Sequence, residues 1–280
     1  MKTAHQIFDY IWFERYIQSK VGFSIYICSL RVREVKRMFE NIDRKKEHLD
    51  ANRPLPKYTV KSLREKLLLE WTYNSNAIEG NTLTINETKV VLEGITVGGK
   101  TLREHLEVLN HRDAIQFVEE IVLKDEPLTE WQIKNLHRLV LKGIDDEYAG
   151  VYRDQQVFIS GAKHIPTAPF LIKEEMEQLI QWYEQAETKR LHPVVRGAML
   201  HAIFVGIHPF IDGNGRTSRL LLNLELMKNG FPPIIIKVKN RLAYYEALDK
   251  AHTQKEYGDF IQLVTIEVED SLDLYLSAII

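Results

Sequence analysis

Cysteine is all but missing. Cys28 stands alone among 280 residues, so no intramolecular disulfide can form, and a reducing, cytoplasmic compartment is the expectation. An excess of one charge is missing too: 37 basic and 39 acidic side chains leave a net charge of −2. That balance offers no polyanion-binding surface and argues against nucleic acid as a partner. Long apolar runs are also lacking. The longest, Val21 to Leu30, is too short and too interrupted to span a bilayer. The first residues include His5, Asp9, Glu14 and Arg15 where a secretory leader needs an unbroken apolar stretch. No membrane partner is expected. Internal repeats and low-complexity segments are absent. What remains is 45% hydrophobic and 27% charged, enough apolar material to build a core without a metal or disulfide staple.

The chain reads as a succession of helices. Arg31 to Leu49 carries Val32, Val35, Met38, Phe39 and Ile42 at helical spacing. The segment 52–57 breaks the pattern with Pro54 and Pro56, and divides a helical extension over 1–58 from a main domain over 59–280. Helical periodicity resumes through Leu63, Leu67, Leu68, Trp71 and Ile78, stopping at Gly80. Thr84 with Glu87, Thr101 with Glu104 and Thr129 with Gln132 are capping boxes that start three more helices. Further helices are expected over 173–187, 193–207, 217–228, 241–252 and 257–278. Residues 152–169 differ: Val157, Phe158, Ile159 and Ile165 flank a Ser160-Gly161 turn, which predicts a small β-hairpin. The expected fold is mainly α with that one hairpin.

The chemistry concentrates in His208-Pro-Phe-Ile-Asp-Gly-Asn-Gly-Arg-Thr-Ser-Arg219. Gly213 and Gly215 allow the backbone to turn and expose its N–H groups. A helix begins directly behind them, so its unpaired N–H groups point into the same loop and form an anion nest suited to phosphate. Arg216 and Arg219, three apart, share a face of the first turn. Cations there oppose the helix dipole, an arrangement that makes sense with an anion between them. Asp212 is a hard oxygen ligand where Mg²⁺ on those phosphates would need one. His208 titrates near neutral pH and can accept a proton. No strand precedes the loop, as a dinucleotide fold requires, and no Gly-Lys-Ser/Thr follows, as a P-loop requires. His201 reads as a packed histidine, absent metal-site spacing.

Residues 208–219 match the Fic-family signature, His-x-Phe-x-Asp/Glu-Gly-Asn-Gly-Arg-x-x-Arg, at every specified position. The chain resembles that family from about Thr59 to about Ala278. The resemblance implies a helical Fic domain with a hairpin flap and a protein adenylyltransferase activity. AMP would pass from Mg·ATP to a Ser, Thr or Tyr hydroxyl of a target protein. In that scheme His208 is the general base and Asp212 the Mg²⁺ ligand. Gly213, Asn214, Gly215, Arg216, Thr217, Ser218 and Arg219 surround the phosphates. Val157, Phe158, Ile159 and Ser160 form the flap that pairs with an extended target. Tyr244, Tyr245 and His252 lie on the adenine side, His252 replacing an Asn of relatives. Self-association as a homodimer is common among such proteins.

Ser75-Asn-Ala-Ile-Glu79-Gly80 resembles the family's inhibitory motif, carried on a helix over about 59–80. Ser75 and Glu79 share a helical face, and Gly80 is a natural residue to end the helix. By resemblance Glu79 pairs with Arg219, taking the arginine that should hold the γ-phosphate, and so lies in the nucleotide site. In some relatives the equivalent glutamate also positions water for AMP removal, which implies the reverse reaction too. Two alternatives stay open. One is a Fic-fold transferase with another nucleotide or a phospho-alcohol donor; the other is a non-catalytic nucleotide-binding module.

Overall fold

Apolar residues recur at helical spacing through most of the sequence, and helices are what form. The computed structural model describes residues 29–279, with side chains from Arg37 onward. Cys28 and the apolar run that follows Val21 lie outside those side chains. The elements are α1 (Ser29–Ala51), α2 (Lys57–Ile78), α3 (Ile85–Leu92), α4 (Leu102–Leu123), α5 (Glu130–Leu141), α6 (Ile172–Glu184) and a one-turn α7 (Ala186–Lys189). Then come α8 (Pro193–Ile207), α9 (Asn214–Lys228), α10 (Arg241–Gln254) and α11 (Gly258–Ser277).

Local chemistry fixes the starts and stops. Thr84 and Thr101 accept the N–H of Glu87 and Glu104, whose carboxylates return the bond to the threonine N–H. At α5 the Gln132 side chain accepts the Thr129 N–H at 3.0 Å. Pro193 opens α8 at a position where its missing N–H costs nothing.

The centre is the pair α8 and α9. Every residue of α8 from Met199 to Ile207 except Ile203 is buried, and α9 is buried from Arg216 to Leu226. One apolar cluster joins them to α4, α5 and α6 through Ile115, Leu136, Met176, Phe204 and Leu220. A second joins them to α1, α10 and α11 through Ile42, Leu49, Leu222, Leu248 and Phe260. Because α9 runs through the core, its polar N-terminal turn is held in place by the helices packed around it.

Residues 152–168 contain no strand, so the expected hairpin is not formed. Pro166 donates no backbone bond, and two strands without a sheet to join are marginal. Side chains hold the segment instead. Buried Arg153 donates Nε to the His208 carbonyl at 2.8 Å, Nη1 to the Gln155 carbonyl at 2.8 Å and Nη2 to the Thr167 carbonyl at 2.5 Å. Asp249 Oδ1 accepts the N–H groups of Lys163 and His164 at 2.8 and 3.0 Å. The segment is an irregular loop pinned at both ends.

Candidate active site

The loop between α8 and α9 is over-determined. His208 ends α8 with φ +53, a left-handed conformation that side chains other than glycine rarely take and that clusters at functional sites. Asn214, expected among the ligand-facing residues, turns inward. Its Oδ1 accepts the Phe210 N–H at 3.0 Å and its Nδ2 donates to the Phe210 carbonyl at 2.8 Å. His137 of α5 stacks on Phe210 with ring centroids 3.6 Å apart. It donates Nε2 to the Asp212 carbonyl at 2.8 Å and accepts the Gly150 N–H on Nδ1 at 2.8 Å. Both ring nitrogens are spoken for, so the ring is neutral; burial pushes it down to about 4. Gly213 has φ +76, and a Cβ there would meet Val140 and His137 at 3.1 and 3.2 Å.

The nest is filled from within the chain. The Glu79 carboxylate lies on Gly215, where a Cβ would overlap its Oε1. Arg219, 3% exposed, donates Nη2 to Glu79 Oε1 at 2.7 Å. Ser75 holds the same guanidinium, its Oγ accepting Nε at 3.0 Å and its carbonyl accepting Nη2 at 2.8 Å. Tyr244 accepts Nη1 at 3.3 Å. Glu79 is the last residue of the α2 cap, followed by Gly80 at φ +99. The N–H groups of Gly80 and Asn81 return to the carbonyls of Ala77 and Asn76, a Schellman closure that fixes where Glu79 stands. A carboxylate at a helix C-terminus opposes that helix's dipole, but Arg219 and the positive end of α9 face it.

His208 is largely buried, and burial lowers its imidazole to about 4, with the Val205 carbonyl and the Glu79 carboxylate pulling the other way. It is neutral at pH 7, as an acceptor of protons must be. Burial raises Asp212, but Arg216, the Gly213 N–H and Arg103 outweigh it and hold the carboxyl below its ordinary value. Among the described residues no group of three or more His, Cys, Asp and Glu side chains could hold a metal. Asp212 alone offers one ionised oxygen donor set, which fits an ion that takes its other ligands from phosphate and water.

Not every expected ligand-facing residue is turned towards the loop that carries His208 and Asp212. Ser218 Oγ donates to the Gly215 carbonyl at 2.8 Å and lies 3.0 Å from His201 Nε2, while Thr217 is fully buried. Tyr244 is buried against His201, whose Nε2 lies 3.0 Å from its hydroxyl. Tyr245 is 39% exposed and donates to the Ile78 carbonyl at 3.0 Å, tying α10 to the end of α2. His252 donates to the Ala202 carbonyl at 2.8 Å and pairs with the His164 ring at 4.6 Å. Val157 and Ile159 are half-buried, and Phe158 and Ser160 are exposed on the loop. His137, Arg153 and Arg103 were invisible to sequence reasoning because what ties them to the site is backbone N–H and carbonyl groups or the sequence-distant Asp212, which leave no local pattern.

The family model for Fic/DOC proteins matches residues 127–226. The chain is 31% identical to a solved Fic-1 structure from C. elegans, with a TM-score of 0.80, covering 89% of this chain and 76% of that one. The chain belongs to the Fic family. A second solved structure, a Fic domain containing signaling protein from Bacteroides thetaiotaomicron, is 31% identical with a TM-score of 0.78, over 85% of this chain and 96% of that one. Curated relatives named protein adenylyltransferase Fic include one from Nematostella vectensis, 38% identical over 246 residues, and one from Drosophila melanogaster, 35% identical over 244. Those spans cover 86% and 87% of this Fic chain but 56% and 49% of the relatives, so the chain spans about half the length of the curated relatives it matches. Among the described residues no helix is long and apolar enough to cross a membrane.

Proposed function

We propose that this Fic protein transfers AMP from Mg·ATP to a hydroxyl of a target protein, and that Glu79 holds it in check. The observation that carries the reading is the Glu79 carboxylate seated on Gly215 and paired with Arg219. An internal anion occupies an anion site built from helix N–H groups and a buried arginine. Removing it would expose a nest for phosphate beside a neutral histidine.

In the transfer, His208 takes the proton of the target hydroxyl as that oxygen attacks the α-phosphorus. The bond from phosphorus to the bridging oxygen breaks, and pyrophosphate leaves. Gly213 and Gly215 present N–H groups to the phosphates, and Arg219, once released, neutralises the outermost charge. Asp212 would hold Mg²⁺, which supplies charge neutralisation to the phosphates when bound. The pinned loop at 152–168 lies next to His208 through Arg153, and its exposed Phe158 is a first contact for an extended target segment.

The test uses wild type, Glu79→Gly and Glu79→Gly/His208→Ala with Mg²⁺, α-labelled ATP and cell lysate. Label on protein is expected to rise at least tenfold in Glu79→Gly and to vanish with His208→Ala. If only a small minority of molecules are open, competent binding is weakened by that fraction, so a 1% open state corresponds to about 100-fold. Equal labelling of wild type and Glu79→Gly would remove the brake. No label in any sample would remove ATP as donor, and a panel of UTP, GTP and CDP-alcohols would follow.

A further inference from the structure

Both carboxylate oxygens of Asp212 are engaged. Oδ1 accepts the Gly213 N–H at 2.5 Å and Arg216 Nη2 at 3.2 Å. Oδ2 accepts Arg103 Nη2 at 2.5 Å. The two arginines differ in setting. Arg216 is 2% exposed and fixed in the floor of the site, whereas Arg103 is 57% exposed in the first turn of α4. Glu107 closes the arrangement: its Oε1 accepts Arg103 Nε at 3.2 Å and lies 3.4 Å from Arg216 Nη1. Arg216 bridges Asp212 and Glu107 from inside, and Arg103 bridges the same two carboxylates from outside.

The outer bridge has little to do with stability. Ion pairs this exposed stabilise by about 0–1 kcal/mol. A cation in the first turn of α4 also opposes that helix's dipole. The start of α4 is already secured by Thr101 and Glu104. What Arg103 does occupy is the one Asp212 oxygen that neither the loop backbone nor the buried arginine uses.

We infer that Arg103 is an internal competitor for the divalent cation, its guanidinium holding the Asp212 oxygen that Mg²⁺ on a bound nucleotide would take. The inference rests on the reading of this cleft as a Mg·nucleotide site. Cation and guanidinium cannot both sit on Oδ2 without mutual repulsion, so they alternate there, and Arg103 stays tethered through Glu107 when displaced. The device is separate from the Glu79 brake. Glu79, on α2, blocks the phosphate position; Arg103, on α4, covers the metal position and raises the Mg²⁺ concentration that loading requires.

The experiment compares Glu79→Gly with Glu79→Gly/Arg103→Ala. Binding of a fluorescent ATP analogue is followed as Mg²⁺ is titrated, with a parallel arm in EDTA and Mn²⁺ occupancy read by electron paramagnetic resonance. The half-saturating Mg²⁺ and Mn²⁺ concentrations are expected to fall about three- to fivefold on loss of Arg103, the range of an exposed ion pair. Affinity in EDTA should stay unchanged. An unmoved or higher metal midpoint overturns the inference, as does weaker binding in EDTA, which would make Arg103 a phosphate ligand. Were Glu79→Gly itself to bind the analogue without regard to metal, the Mg·nucleotide reading would fall and this inference with it. Metal-dependent binding with an unmoved midpoint defeats the competitor role alone. Arg103 is exposed and outside the capping box, so the variant is expected to fold.

Discussion

At the scale of single residues, the site turns on how many partners Arg219 has. Ser75, its own carbonyl, Glu79 and Tyr244 all reach the guanidinium, so Glu79 contributes one of several bonds and a charge rather than the whole anchorage. This separates two components of the proposed brake: occupancy of the nest and neutralisation of Arg219. Glu79→Gln keeps the shape and one acceptor but drops the charge, and charge-assisted bonds are roughly twice as strong as neutral ones. Nucleotide affinity of Glu79→Gln is therefore expected to fall between wild type and Glu79→Gly, measured by calorimetry with Mg·ATP. Parity with Glu79→Gly would mean that charge alone sets the brake. The pairing of Glu79 with Arg219 was legible in the sequence through the family motif. Ser75 was legible as part of the same motif, but not that its hydroxyl and its carbonyl both accept from Arg219, a partner 144 residues away that leaves no local pattern.

At the scale of elements, the helices were the legible part and the flap was not. Capping boxes and 3.6-residue periodicity are local, and they marked α3, α4, α5 and α8 where those helices form. Alternation in 152–169 is local as well, but a strand needs a partner, and here Arg153 and Asp249 supply the bonds a ladder would have made. Removing that anchor should release the loop. Arg153→Ala leaves the His208, Gln155 and Thr167 carbonyls without their donor, a loss of about 2–3 kcal/mol for bonds to a buried charged group. It is expected to lower the melting temperature and to make 152–168 the first site of limited proteolysis. Helix α9 allows a cleaner test of the nest. Gly215 lies in ordinary helical φ, so what it provides is room, not conformational freedom. In a Glu79→Gly background, the new Cβ of Gly215→Ala lies 3.1 Å from Arg219 Nη1, and alanine favours the helix over glycine by about 0.5–1 kcal/mol. Stability should hold or rise while Mg·ATP binding is lost, as read by thermal melts with and without nucleotide; a ligand-induced shift that survives would place the phosphates elsewhere.

At the scale of the whole molecule, building the site inside the core makes the fold sensitive to acid. Burial lowers His137, His208 and His252 to about 4, and His111 and His201 well below the usual histidine value. All five are neutral when folded and take a proton near 6.5 when unfolded. The unfolded chain therefore binds more protons below about pH 6.5, and stability, fully present above that pH, is lost as pH falls from 6.5 towards 4. Each histidine adds at most about 1.4 kcal/mol per pH unit over that window. Carboxylates such as Glu104, held at about 2 by the hydroxyl and N–H groups of Thr82 and Thr101, extend the loss below the ordinary carboxylate range. A melting temperature that is level above pH 7 and drops steeply from 6.5 to 4 is the expected profile, measured by scanning fluorimetry at constant ionic strength. His111 isolates the cause. Among the described residues neither of its ring nitrogens has a hydrogen-bond partner, it lies edge-on to Trp71, and after burial the charges of Arg219 and Arg216 are what disfavour its protonation. His111→Leu removes a proton-binding group from the unfolded chain and loses no hydrogen bond from the folded one. The variant should show a shallower acid limb with little change at pH 7.5. An acid limb as steep as wild type would take His111 out of the set of buried histidines that cause the sensitivity.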